Sequence, residues 1–119
     1  MSSLLIIAHG SRRAASNDEV RALADAVRAQ PGQAYAHVEA AFLELAEPGI
    51  AEGLAKLAAK GATEIVAFPY FLAAGTHVAQ DIPEAIAEFA ASHPNVTVRL
   101  TPHLGASAAL PSAILGMAA

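Results

Sequence analysis

The chain contains no cysteine and no tryptophan. Without thiols, disulfides, thiolate metal cages and cysteine nucleophiles are excluded together, and a cytoplasmic location is the expectation. Charged residues make up only 15% of the 119 positions and the net charge is −4, so no basic field presents itself to nucleic acid. Long apolar runs are also missing. The longest, Ile65 to Gly75, is broken by Pro69 and falls well short of the ~18 residues that cross a bilayer, so no membrane partner is expected. The opening residues, Met1 to His9, have no basic segment, and their apolar stretch is too short for a signal peptide.

What is present is apolar: 55% of residues are hydrophobic, which excludes a disordered chain. The length suits one domain, residues 1–119, with a core of modest size. Much of the apolar content is alanine. Alanine-rich helices leave shallow surfaces, and some of that area is available for a second subunit.

Leu4 to Ala8 is a continuous apolar run and predicts a buried strand. Ser16 and Glu19 have the spacing of a capping box ahead of Val20, Leu23, Ala24 and Val27, and Pro31-Gly32 stops that helix. Ala36 to Leu43 alternates polar and apolar residues, as an edge strand does. Glu47-Pro48 is expected to open a second helix with the stripe Ile50, Leu54, Leu57 and Ala58, closed by Gly61. Ile65 to Phe68 predicts a second buried strand, and Pro69 to Ala79 a loop. Asp81 and Glu84 suggest a further capping box, with Ile82, Ile86, Phe89 and Ala90 as the buried stripe. Val96, Val98 and Leu100 alternate with Thr97, Arg99 and Thr101 as another edge strand, and an alanine-rich helix follows Gly105. A faint internal echo runs through the chain: strand, histidine-bearing loop, capping box and helix occur twice.

The pattern βαβαβαβ with a final helix means an α/β fold, a four-stranded parallel sheet with helices on both faces. Two central and two edge strands, joined by right-handed crossovers, give the order 2-1-3-4. Ligands of such sheets bind beyond the carboxyl ends of the strands at the switch point, here between the first and third strands. That place holds His9-Gly10-Ser11-Arg12 and the loop Tyr70 to His77, with Glu44 beside them. Imidazole suits Co²⁺, Fe²⁺, Ni²⁺ and Zn²⁺ and also accepts a proton near neutral pH. The apolar loop through Tyr70, Phe71, Gly75 and Thr76 reads as a wall for a flat hydrophobic ligand, with His77 at its end. Ser11 and Arg12 could hold carboxylates at a helix N-terminus. Glu44 competes with Glu47 for the place of a third functional group. His37 and His93 read as surface residues, and His103 as a residue one strand removed from the switch point.

Three blocks carry a resemblance: Ile7-Ala8-His9-Gly10-Ser11-Arg12, Ala41-Phe42-Leu43-Glu44-Leu45-Ala46-Glu47-Pro48, and Gly75-Thr76-His77-Val78-Ala79-Gln80-Asp81-Ile82-Pro83. Together they resemble the signature blocks of the small sirohydrochlorin chelatases, the CbiX and SirB type of class II chelatase, over nearly the whole chain. The resemblance implies a chelatase-type fold and a homodimer whose two units enclose the cleft. It implies insertion of a divalent metal, Co²⁺ or Fe²⁺, into sirohydrochlorin, in cobalamin or siroheme biosynthesis. No nucleotide and no permanently bound cofactor are implied. The metal-handling histidines fall on His9 and His77, and the carboxylate of the iron-inserting members falls on Glu44. Sirohydrochlorin carries eight carboxylates, which gives Ser11 and Arg12 a partner. The chain closes on the uncharged Leu115-Gly116-Met117-Ala118-Ala119, without the histidine-rich tail of some relatives. A metal or tetrapyrrole carrier would use the same cleft. A phosphohistidine hydrolase also places His-Gly after a first strand, but wants an arginine where Ala8 stands.

Overall fold

The structure, a computed structural model, describes residues 2–119 and, for His77, the backbone alone. Four parallel strands, β1 (Ser2–Ala8), β2 (His37–Phe42), β3 (Glu64–Pro69) and β4 (Thr97–Leu100), form one sheet in the order β2-β1-β3-β4. The expected order is therefore the observed one. The two continuously apolar runs are the central strands because each must bury both faces. β1 pairs Ala8 with Phe42 on one side and Ile7 with Pro69 on the other, so three strands end level at the same edge.

Three helices cover the sheet. α1 (Ala14–Arg28) lies over Ile6, Ala8, Val38, Ala40 and Phe42. α2 (Ile50–Ala59) and α3 (Ile82–Ser92) cover the opposite face, packing Leu54, Leu57, Ile82 and Phe89 on Leu5, Ile7, Ile65 and Ala67. Each of these large side chains, fully buried, contributes roughly 1.5–3 kcal/mol. The outer edge of β2 is guarded. Arg28 donates to the Val38 carbonyl, and Lys60 pairs with Glu39 at 2.9 Å.

Helix starts differ from the expectations. Ser16 and Glu19 form no capping box, since α1 begins at Ala14 and Ser16 lies inside its first turn. The buried Asn17 explains this: its carboxamide accepts from Ser11 N at 2.9 Å and donates to Ser11 O at 2.8 Å, drawing the loop onto the first turn. Glu47-Pro48 precedes α2 instead of opening it. Phe42 N donates to Pro48 O at 2.9 Å, so this stretch runs back along the end of β2 and α2 starts at Ile50. Glu52 reaches back to Gly49 N at 3.4 Å, and Gly61 closes the helix at φ +98°. Asp81 does not cap α3 either. It is the last residue of a π-helical turn, His77–Asp81, that leads straight into the helix. Ala90 faces solvent, and Ala85 packs on the core in its stead. The internal echo thereby loses its capping boxes and keeps strand, histidine-bearing loop and helix.

After a 3₁₀ turn, Leu104–Ala106, comes α4 (Leu110–Ala118), none of whose residues is buried.

Candidate metal-handling site

Gly10 sets the first half of the site. Its φ is +94°, a conformation that side chains disfavour, and a Cβ there would stand 1.7 Å from Glu44 O. Only glycine lets the end of β1 pass this close to the end of β2. Pairing then continues past both strands: Leu43 N donates to Ala8 O at 3.0 Å and Glu44 N to His9 O at 3.1 Å. His9 and Glu44 are consequently neighbours, with His9 Nε2 3.1 Å from Glu44 Oε1. Both side chains are about half exposed, at 45% and 56%. Beyond Glu44 the chain turns through Leu45 at φ +65°, a strained conformation for a non-glycine residue.

The spacing of the pair suits either a hydrogen bond or two ligands of one ion. Two bonds of about 2.1 Å that span this separation meet at roughly 95°, the angle of adjacent ligands in an open coordination shell. The imidazole also meets the Phe71 ring edge-on, with centroids 6.5 Å apart. Phe71 is anchored in the core beneath, whereas Leu72 is 72% exposed. Tyr70 is tied back to β1 through its N–H to Ile7 O at 2.7 Å and keeps its side chain partly exposed. Gly75 and Thr76 are exposed, and nothing stands within 4 Å of a Cβ built on Gly75. Of this loop, Phe71 is the residue whose ring meets His9.

His77 opens the π-helical turn, whose start is set by Ala79 N donating to Gly75 O at 3.0 Å. Its imidazole lies outside the described part of the structure. The far end of the same turn borders a cavity of about 260 Å³ that Asp81 and Glu44 line with Leu43, Ile50, Ala51 and Ala85. Among the described residues no three His, Asp or Glu side chains are grouped closely enough to hold an ion. The observed part of the expected triad is therefore the His9–Glu44 pair.

Ser11 and Arg12 stand beside this pair at the start of α1, which has no side-chain cap. Ser11 is already engaged, its N–H with Asn17 and its Oγ as acceptor from Arg13 N at 3.0 Å. It has its hydroxyl proton left for a ligand; Arg12 is exposed. The backbone carbonyl of Glu47 accepts from Arg21 at 2.9 Å. His103 precedes the 3₁₀ turn, and His37 is half-buried on β2. His93 is a structural residue rather than a free surface one. Its ring stacks on Phe89 at 4.0 Å, and Nδ1 lies 3.1 Å from the Phe89 carbonyl. The structural roles of two residues are not visible in the sequence. Asn17 carried no signal beyond its place in a helix, and Asp81 looked like a cap.

Residues 3–117 match the family model described as CbiX. The chain is 34% identical over 102 residues to the chloroplastic sirohydrochlorin ferrochelatase of Arabidopsis thaliana, covering 86% of this chain and 44% of that one. It is 38% identical over 80 residues to the sirohydrochlorin cobaltochelatase of Methanosarcina acetivorans, covering 67% and 60%. The sirohydrochlorin chelatase SirB of Bacillus subtilis subspecies spizizenii, solved in complex with cobalt, superposes with a TM-score of 0.86 at 30% identity, covering 97% of this chain and 48% of SirB. The match thus spans about half the length of these relatives, 44% and 60% of the two chelatases and 48% of SirB. No helix among the described residues is long and apolar enough to cross a membrane.

Proposed function

The chain belongs to the CbiX family, and on that premise we propose that it inserts a divalent metal, Co²⁺ or Fe²⁺, into sirohydrochlorin. The observation that carries the reading is the His9–Glu44 pair, held half-exposed at the carboxyl edge of the sheet beside the Phe71 ring. Insertion exchanges two pyrrole N–H bonds for bonds to the metal, so two protons must leave. A neutral imidazole at His9 can present the ion weakly and accept a proton, and the Glu44 carboxylate balances the imidazolium that results. His77, at the head of the π-helical turn, is assigned the second imidazole of the site. Ser11 and Arg12 are assigned to the carboxylates of the macrocycle, and Tyr70, Phe71, Gly75 and Thr76 to its flat face. The exchange of protons for metal needs no nucleotide. Both iron and cobalt stand in the names of relatives, and imidazole with carboxylate serves both ions.

One unit offers a single wall to a broad macrocycle, which supports a homodimer with the two clefts facing each other. The absence of cysteine supports a cytoplasmic setting.

The test is an absorbance assay with purified protein, sirohydrochlorin, and Co²⁺, Fe²⁺ or Ni²⁺ in turn. Multiple turnover with at least one metal is expected, and stoichiometric uptake without turnover would instead identify a carrier. His9→Ala and His77→Ala should each remove most of the rate with melting temperatures unchanged. Wild-type rates in both variants would overturn the assignment.

A further inference from the structure

Two large apolar side chains near the His9–Glu44 pair add little to either core. Leu45 follows Glu44 directly. Its φ of +65° is one that residues with a Cβ disfavour and that glycine or asparagine takes readily. Leu43 and Ala46 pack on the cores of opposite faces of the sheet, but Leu45 between them is 55% exposed. Leu72 is 72% exposed, yet its backbone is fixed. Gly105 N donates to Phe71 O at 3.0 Å, and a Cβ on Gly105 would stand 1.8 Å from Leu72 O, so the 3₁₀ turn packs directly on this segment. The exposure is not scattered. Outside α4, the large apolar side chains left exposed among the described residues are Leu45, Tyr70, Leu72 and Leu100. Each stands at the carboxyl end of a strand or within three residues beyond it, and the amino edge of the sheet has none.

Strand order sets where the two leucines stand. β1 lies between β2 and β3, so Leu45, three residues past β2, and Leu72, three residues past β3, fall on opposite sides of His9. With neighbouring strands about 4.8 Å apart, the two segments are separated by roughly 10 Å. We propose that Leu45 and Leu72 bind the hydrocarbon face of the macrocycle, one on each side of the metal pair, and fix where the ring rests relative to His9 and Glu44. Strain and exposure combined in one residue, next to a functional group, point to a side chain retained for its contact with a ligand. A tetrapyrrole is a flat apolar ring with its carboxylates at the periphery. The leucines suit the ring itself, where burial of apolar surface drives binding, and leave the carboxylates to Ser11 and Arg12. Neither leucine offers a ligand atom to the ion or a group that moves a proton. The inference rests on the chelatase reading above and adds to it the side chains that hold the ring.

The experiment titrates metal-free sirohydrochlorin into the whole chain and follows its absorbance, with Co²⁺ binding measured separately in the absence of the macrocycle. Leu45→Asn removes the apolar contact and accepts the positive φ, so it should melt no lower than wild type while its Kd for sirohydrochlorin rises about 10-fold. Leu72→Asn should weaken binding by a similar factor, and the double variant by about 100-fold. Leu45→Met keeps an apolar side chain and should bind sirohydrochlorin as wild type does. Co²⁺ affinity should be unchanged in all of them. If circular dichroism shows Leu45→Asn misfolded, Leu45→Gly, which adopts φ +65° without strain, takes its place. Wild-type affinity for sirohydrochlorin in both asparagine variants would overturn the proposal. So would a loss of affinity that appears only together with a change of mass in light scattering, since the leucines would then serve contact between subunits. Wild-type protein that binds sirohydrochlorin but inserts no metal would overturn the chelatase reading and leave the ring contacts standing.

Discussion

Replacing Gly10 by alanine tests the geometry of the site most severely. At φ +94° an alanine costs about 1–2 kcal/mol from backbone sterics alone. Its methyl group would also stand 1.7 Å from Glu44 O, and since real contacts do not fall below 3.0 Å, one partner must retreat by about 1.3 Å. The retreat breaks the bond from Glu44 N to His9 O, worth about 0.5–1.5 kcal/mol net. The combined loss of about 1.5–3.5 kcal/mol corresponds to a melting temperature lower by roughly 10 °C for a chain of this size. Misplacing the His9–Glu44 pair by about an ångström should lower the insertion rate by about 100-fold. Gly32→Ala is the control: its φ is +80°, but nothing lies within 4 Å of the new methyl group. It should lose stability by the backbone cost alone and retain its rate. Calorimetry and the absorbance assay, run on both variants below their melting temperatures, measure the two effects separately. A Gly10→Ala protein as active as Gly32→Ala would refute the claim that this close approach positions the site.

Further expectations follow from single contacts. Glu44→Gln keeps the size of the side chain but removes its charge beside His9, and insertion at saturating sirohydrochlorin should fall about 10- to 100-fold. Glu47→Gln, which alters no contact made by the Glu47 carbonyl, should insert metal at the wild-type rate; a loss there with Glu44→Gln unaffected would move the carboxylate to the other residue. His37→Ala and His93→Ala should both retain activity, while His93→Ala melts a few degrees lower because a ring contact of about 0.5–1.5 kcal/mol is gone. Arg21→Ala removes a cation 5.1 Å from the Phe42 ring and the bond to Glu47 O, and differential scanning fluorimetry should show a loss of about 1 kcal/mol.

The sheet was legible because burial on two faces leaves a strong mark. Leu4 to Ala8 and Ile65 to Phe68 admit few polar residues, and once they are central the strand order and the meeting of His9 with Glu44 follow from topology. Helix starts were less legible, because local spacing competes with contacts that spacing does not encode. Ser16 and Glu19 have the pattern of a cap, yet the carboxamide of Asn17 closing on Ser11 decides where α1 begins. The Glu47-Pro48 stretch was misread for a similar reason: Phe42, distant in sequence, claims the Pro48 carbonyl. The π-helical turn at His77–Asp81 leaves no trace in a 3.6-residue period, so Asp81 looked like a cap instead of a wall of the cavity beside Glu44. Composition showed that α4 is apolar but gave no sign that none of its residues is buried.

The guarded margin of β2 bears on how this chain fares at high concentration. An unprotected outer strand offers a row of free carbonyl and amide groups to the next molecule, the usual start of fibrous aggregation. Here the Arg28 guanidinium occupies the Val38 carbonyl, and the Lys60–Glu39 pair adds bulk and charge along the same strand. At the other margin, β4 is only four residues long, carries the exposed Arg99 and is followed at once by Thr101-Pro102. Neither side therefore templates an added strand. During overexpression or prolonged storage the chain should resist amyloid-type deposition, and dye-binding assays for cross-β structure should stay at background. Neutralising Arg28 and Lys60 together would remove that protection while leaving every residue of the metal site in place.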